Sequence, residues 1–595
     1  MKKIVTVAAC VGLVLPWLAS ATGVARATGL DCSAGAHTLA PAGSRLYPET
    51  GNGGYTSLHT LVHLVYDTNT NTFLPGNRVV LTDLATQCLT SFSLDFERRS
   101  ANTSAGPDMT VSSVSVDGRP ATFDFVRPTY PGDPNGQDDP NPLAHEASEL
   151  NPVGGPGHNP LPPACSPELL STKVPKDSLN GTQCPATKLV ITPRVPVPDG
   201  ATFTVTVGYT GRPGVHNDGD GTTEGWFRAS DGGFVTTEPV GSEDWMPLND
   251  YPAAKPTYDF SDTVTSGRTV IANGILVSAR HDPASAEFPK GSDTWNWHMG
   301  APVASYLVED SVGDYRLTQR TVGGLTVYEA QDTAITPARQ KRNRAIMRMQ
   351  PGITAFESRF SGPYPFTSEG IIVGTPSTSF DEEMETMIAF SGGRIDTDTL
   401  YHENMHQWWG DNVTESDYRM TFFKEGLATL AEFLYAARLA ETAAGGPSTQ
   451  AGRQAFQASL VHSFNRFYRL GPGLWAAAPS NPKPSGLFSG SATYLRPGIA
   501  YIALRQILGH TNFTNALEQI QHTYGGASIS EPQLETVFQQ WLPVQTGACQ
   551  ARLSQFFTEW FDTAYPQGGR VRPTITGPGL AGKGFYDDSG GCPST

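Results

Sequence analysis

The sequence predicts a multidomain α+β protein in which a strand-rich N-terminal half precedes a helix-rich C-terminal half. Three observations carry that prediction. The chain has 595 residues, more than one hydrophobic core usually organises. From about residue 45 to residue 312 apolar residues tend to alternate with polar ones, the period of half-buried strands. After about residue 335 the apolar positions recur at helical spacing instead.

The chain opens with Lys2 and Lys3, an apolar run from Ile4 to Leu18, and small residues ending in Ala25-Arg26-Ala27. These read as a secretory signal, residues 1–27, cleaved after Ala27, with Ala19-Ser20-Ala21 as a second possible site. Pro16 interrupts a run already short for a membrane anchor, so the mature chain is expected to be secreted and free of the membrane. Of 7 cysteines, Cys10 falls inside the leader. Cys32, Cys88, Cys165, Cys184, Cys549 and Cys592 then suit the disulfides of an exported protein, and sequence proximity favours Cys32 with Cys88, Cys165 with Cys184, and Cys549 with Cys592. A formal charge of −16 argues against nucleic acid and anionic membranes as partners.

Within the β-rich region, Val111 to Val116 alternates, turns at Asp117-Gly118 and resumes over Ala121 to Phe125, the signature of a hairpin. Phe203 to Val207 repeats the alternation. Residues 128–185 are crowded with Pro, Gly, Asn and Asp, and read as a surface insertion clipped by Cys165 and Cys184. His59 and His63 lie four apart, but Thr60-Leu61-Val62 between them reads as strand and no Glu accompanies them, so a structural role is expected.

The helical half opens with a charged segment from Arg339 to Met349. A helix capped by Asp396 or Asp398 and ended by Gly410 carries His402-Glu403-Asn404-Met405-His406. Residues four apart share a helix face, so both imidazoles can reach one ion while Glu403 points at a water beside it. Glu425, in the first turn of a helix running to Gly445-Gly446-Pro447, supplies a carboxylate as third ligand and leaves a fourth position open. This is the donor set of one catalytic Zn2+ per chain. A random chain of this composition holds the pentapeptide in roughly one case in a hundred, and with the distant Glu in roughly one in two thousand. Residues 454–562 read as mostly helical, with Phe556, Phe557, Trp560 and Phe561 as core, and 566–595 as a C-terminal tail.

The run His402-Glu403-Asn404-Met405-His406-Gln407-Trp408-Trp409-Gly410-Asp411-Asn412-Val413-Thr414, with Glu425-Gly426 downstream, resembles the gluzincin aminopeptidase family of aminopeptidase N and leukotriene hydrolase. Thr237-Glu238-Pro239, Trp245 to Pro252, Ala272-Asn273-Gly274 and Gly362 to Phe366 resemble it too, so the likeness covers roughly residues 45–565. It implies a saddle-like β-domain over 45–312, a thermolysin-like zinc peptidase domain over 313–565 ending in a short helical region, and peptide substrates with a free N-terminus. The longer members' large C-terminal helical domain is not expected in this sequence.

The family's Gly-x-Met-Glu-Asn signature is matched by Glu382-Glu383-Met384-Glu385-Thr386, where Met384 and Glu385 survive. The resemblance makes Glu385 the ligand of the substrate α-amine, with Met384 beside it and Glu238 as companion. It makes Tyr494, in Tyr494-Leu495-Arg496-Pro497, the donor to the oxyanion, with Tyr501 as rival, and Arg505 in register. Glu403 becomes the general base. The expected function is a secreted zinc aminopeptidase. The altered loop leaves endopeptidase or epoxide hydrolase chemistry as alternatives, and the insertion leaves an inert exported binding protein.

Overall fold

The computed structural model describes residues 50–97, 109–127, 188–217, 222–378, 380–566 and 571–586, with short stretches at 32–36, 39, 46–47, 151–152 and 592–593. The leader, Cys165, Cys184 and nearly all of the 128–185 insertion lie outside the described residues.

The N-terminal half is built on a ten-stranded mixed sheet whose centre runs Thr257–Thr265, Tyr55–His63, Arg78–Ala85, Thr202–Thr210 and Thr110–Val116. Alternation explains its burial. Phe203, Val205, Val207 and Tyr209 on one strand and Val79 and Leu81 on the next turn inward, while the residues between them stay partly open. Two five-stranded sheets flank it and share its apolar core. His59 sits on an inner strand against Thr257 and Asp259, in the structural role expected of it.

The Asp117-Gly118 turn forms, with φ of 50° and 71° as a tight hairpin turn requires. The hairpin does not continue as its sequence suggested. Only Arg119 and Pro120 pair back, and Thr122–Arg127 crosses to another sheet beside Lys188–Thr192. A last ladder bond, from the Ala121 amide to the Val114 carbonyl at 3.0 Å, precedes the departure.

A four-stranded sheet follows, in the order Tyr315–Val322, Leu325–Asp332, Ser368–Val373, Ile388–Phe390. Its first pair is antiparallel and the rest parallel. Every residue of Ser368–Val373 is buried, because both faces are covered. Ile372 and Ala389 point into the β-domain core, and Ile371, Val373, Ile388 and Phe390 into the helical core. One sheet thus joins the two halves.

The described helices are α1 (Pro337–Met347), α2 (Gln350–Ser361), α3 (Thr397–His406), α4 (Thr421–Ala443), α5 (Gln450–Tyr468), α6 (Arg496–Leu508), α7 (His510–Tyr524), α8 (Glu531–Gln540) and α9 (Gly547–Phe557). Phe556, Phe557, Trp560 and Phe561 are core, as their spacing suggested. The segment expected as a tail packs with them. Ile575 and Phe585 are buried in the helical core, Trp560 Nε1 donates to the Ile575 carbonyl at 2.7 Å, and a Cys549–Cys592 disulfide ties the end to α9. A second disulfide joins Cys32 and Cys88.

Candidate active site

Asp396 caps α3, its carboxylate accepting from the Asp398 and Thr399 amides at 3.0 and 3.4 Å. The helix then presents His402 and His406 one turn apart, ring centroids 4.9 Å apart. Helix α4 begins at Thr421, so Glu425 stands just past its first turn. Gly426 lets α4 lie against α6: a Cβ there would meet Pro497 at 2.5 Å and Tyr501 at 2.8 Å.

Glu425 Oε2 lies 3.1 Å from His402 Nε2 and 3.4 Å from His406 Nε2. Ligands about 2.0–2.1 Å from a tetrahedral ion are themselves about 3.3 Å apart, so these three fit zinc. The far nitrogens hold the rings in place. His402 Nδ1 is 2.8 Å from Glu432 Oε1, and His406 Nδ1 is 2.9 Å from the Trp409 carbonyl. Both contacts place the proton on Nδ1 and turn the Nε2 lone pairs toward the shared point.

The three candidate ligands, Glu403, Tyr494 and Glu238 line one cleft of about 450 Å³, together with Glu383, Asp381, Phe380, Phe488 and Thr222. Burial pushes the Glu403 carboxyl well above its usual range, against the pull of His402 and aided by Glu383, Glu425 and Asp381. Glu425 is held well below its usual range: burial opposes this, but Lys424 and His406 outweigh it. Tyr494, on the turn Gly490–Leu495 before α6, packs its ring 5.7 Å from that of His402. Burial and the nearby Glu425 raise its hydroxyl well above its usual range, keeping it a donor. Tyr501 is buried within α6 away from the cleft. Arg496 donates to the Ala477, Glu559 and Thr563 carbonyls, and Arg505 to Gln457, so both brace the helices.

Glu385 and Met384 do not enter the cleft. Met384 lies in the β-domain core, and Glu385 is fully buried, its carboxyl pushed up to about 8 by burial against the pull of Lys255. The acid that faces the cleft is Glu383. It stands two residues before the Glu385 that the resemblance singled out. The loop's path is fixed by other contacts: Glu382 pairs with Ala389, Gln407 Nε2 donates to the Glu383 carbonyl at 2.8 Å, and Gln407 Oε1 accepts from the Thr386 amide at 2.8 Å. Gln407, directly after the second histidine, thereby pins this loop to α3.

Sequence reasoning missed three residues. Lys424, fully buried, places Nζ 2.6 Å from Glu238 Oε1, 2.6 Å from Glu383 Oε1 and 2.8 Å from Glu425 Oε1. These three carboxylates could hold a cation, and an internal ammonium already occupies their midst. They raise Lys424 well above its usual range although burial opposes it. Glu432 could have been found from its position two turns beyond Glu425 on the same helical face. Glu383 and Lys424 meet only through the fold.

Residues 347–560 match the model of the peptidase family M1 domain. The chain carries a peptidase family M1 domain. Leucine aminopeptidase 2 of Aspergillus terreus is 25% identical over 199 residues, 32% of this chain and 30% of that protein. Aminopeptidase B of Rattus norvegicus is 26% identical over 207 residues, 33% of this chain and 29% of that protein. The match thus spans less than a third of these relatives' lengths. In fold, the likeness extends past the M1 domain. An M1 zinc metallopeptidase from Deinococcus radiodurans superposes with a TM-score of 0.63 at 20% identity, covering 90% of this chain and 99% of that one. A two-domain M1 zinc metallopeptidase mutant bound to L-arginine gives 0.64 at 19% identity, covering 90% and 99%.

Proposed function

We propose that this chain is a secreted zinc-dependent aminopeptidase that removes N-terminal residues from peptides. One observation carries the reading: the His402, His406 and Glu425 donor set opens on a cleft that also holds Glu403, Tyr494 and the acids Glu238 and Glu383. One Zn2+ per chain, held by the three ligands, would supply the Lewis acidity that makes water a nucleophile near neutral pH and polarises the scissile carbonyl. Glu403 takes the proton of the attacking water and hands it to the leaving amine. Tyr494 donates a hydrogen bond to the oxyanion as its charge develops.

Glu238 and Glu383 bind the substrate ammonium, which needs an anionic acceptor once it leaves water. Lys424 engages Oε1 of each, and the second oxygens serve the substrate. This fixes the distance from the N-terminus to the reacting carbonyl, so the first peptide bond is cut. Glu383 also answers the argument for endopeptidase or epoxide hydrolase chemistry, since the altered loop still supplies an acid. The relatives named as aminopeptidases, and a Deinococcus radiodurans M1 metallopeptidase mutant bound to Tyr-Ser-Ala, support a peptide substrate.

Export is supported by the leader-like N-terminus and the disulfides Cys32–Cys88 and Cys549–Cys592. No described helix is long and apolar enough to cross a membrane. Zinc stoichiometry and hydrolysis of a peptide beside its N-acetylated form test the reading. Cleavage of the free peptide alone, with one zinc bound, is expected; equal cleavage of both overturns the aminopeptidase assignment.

A further inference from the structure

Helix α1 lies against Leu325–Asp332 of the four-stranded sheet and buries Asn343 and Met347, but its flank toward the exposed edge strand Tyr315–Val322 is polar. Gln340, Arg344 and Arg348 stand at successive turns along it, while Arg316, Thr318 and Arg320 alternate along one face of Tyr315–Val322. The two rows line a single cleft of about 430 Å³, within the size range of small-ligand sites, and it shares no residue with the metal cleft.

Its charge runs against the chain's. Four guanidiniums and one carboxylate, Glu329, line it in a protein of formal charge −16. Glu329 Oε1 accepts from Arg320 Nε at 3.1 Å. No ion pair engages Arg316, Arg344 or Arg348 among the described residues. Arg320 Nη2 is buried and has no hydrogen-bond partner among the described residues, and neither has the amide oxygen of Gln331, a residue only 5% exposed. Arg316 and Arg348 lie open to solvent at the mouth, while Arg320 Nη2 inside has no acceptor among the described residues, so the cleft offers an anion converging positive charge and a buried donor.

We propose that this cleft binds a compact phosphate-class oxyanion, whose oxygens Arg316, Arg320, Arg344 and Arg348 engage in the forked geometry that guanidinium favours. The ligand is either free inorganic phosphate or the phosphate of a small monoester, and the two are separable by titration.

The zinc-loaded protein is titrated calorimetrically with inorganic phosphate and, separately, with glycerol 2-phosphate, at ionic strength held constant with sodium chloride. Saturable one-to-one binding is expected, and the tighter of the two probes identifies the source. The double substitution Arg316→Gln with Arg348→Gln should weaken binding by about a hundredfold, roughly tenfold per charge-assisted contact. Arg344→Gln alone should weaken it by about tenfold. Without anion the double variant should unfold at the same or a higher temperature, since repulsion is relieved; a lower temperature would mean that the arginines serve packing. No saturable heat beyond the chloride control overturns the proposal. So does unchanged binding in the variants, which would locate the anion at the metal centre.

Discussion

The metal cleft and the arginine cleft are of similar volume and opposite charge. Around the metal cleft, Glu238, Asp381, Glu383, Glu403 and Glu425 outnumber one buried cation, Lys424, whereas in the other cleft four arginines face Glu329. The difference lies in how each excess is met. Lys424 reaches three carboxylates at once, so much of the negative charge is balanced inside the fold, and on the proposed function a metal and a substrate ammonium balance the rest. In the arginine cleft only Glu329 offsets the charge, and on the proposal above a bound anion supplies the rest. An unbalanced charge within a concavity is thus a statement about what binds there.

The contrast can be broken at several points. The largest effect is expected at Glu403: Glu403→Gln should lower peptide hydrolysis by about 10²- to 10⁴-fold while metal analysis still finds zinc bound. If zinc is lost as well, the base assignment is wrong. Lys424→Met leaves three buried carboxylates without their cation and should cost roughly 3–5 kcal/mol in denaturant unfolding. A loss that small substitutions in the arginine cleft also produced would erase the distinction between internal and ligand balance.

A sharper test compares neighbours on one loop. Glu383→Gln should raise KM for free-amine peptides about tenfold or more, the scale of a lost charge-assisted hydrogen bond, while Glu385→Gln leaves KM unchanged. The reverse result would restore the register set by Met384 and Glu385. A last test concerns Asp83, whose raised carboxyl owes its shift to burial. Burial pushes Asp83 up to about 8, from 3.8 when free. Its folded pKa is raised, so its contribution to stability is full below pH 3.8 and is lost as pH rises through about 8. Unfolding free energy should therefore fall between those limits by up to about 1.4 kcal/mol per pH unit, and Asp83→Asn should flatten that slope.

Local spacing made part of this legible. His402, Glu403 and His406 follow from one helical turn, the Asp396 cap from a side chain that reaches its own helix, and the Thr202–Thr210 strand from period-2 alternation. Each depends on neighbours in sequence. The arginine rows were equally periodic, but nothing local says that a strand row and a helix row face each other. Glu383 escaped because its loop is directed by Gln407 and by pairing of Glu382 with Ala389, contacts made in space. The strand after Asp117-Gly118 was misread because its partner, Lys188–Thr192, lies beyond the insertion.

Glu238 comes from the β-domain, while α3 and α4 carry the candidate metal ligands. On this reading the measuring is shared, with Glu238 from the β-domain and Glu383 from the loop before α3, whereas the candidate metal ligands come from α3 and α4 alone. A lineage could replace the first half of such a chain and change which peptides are trimmed without altering a single atom of the reacting centre. Lys424 sets the condition on that exchange, because whatever β-domain arrives must offer its ammonium an acid.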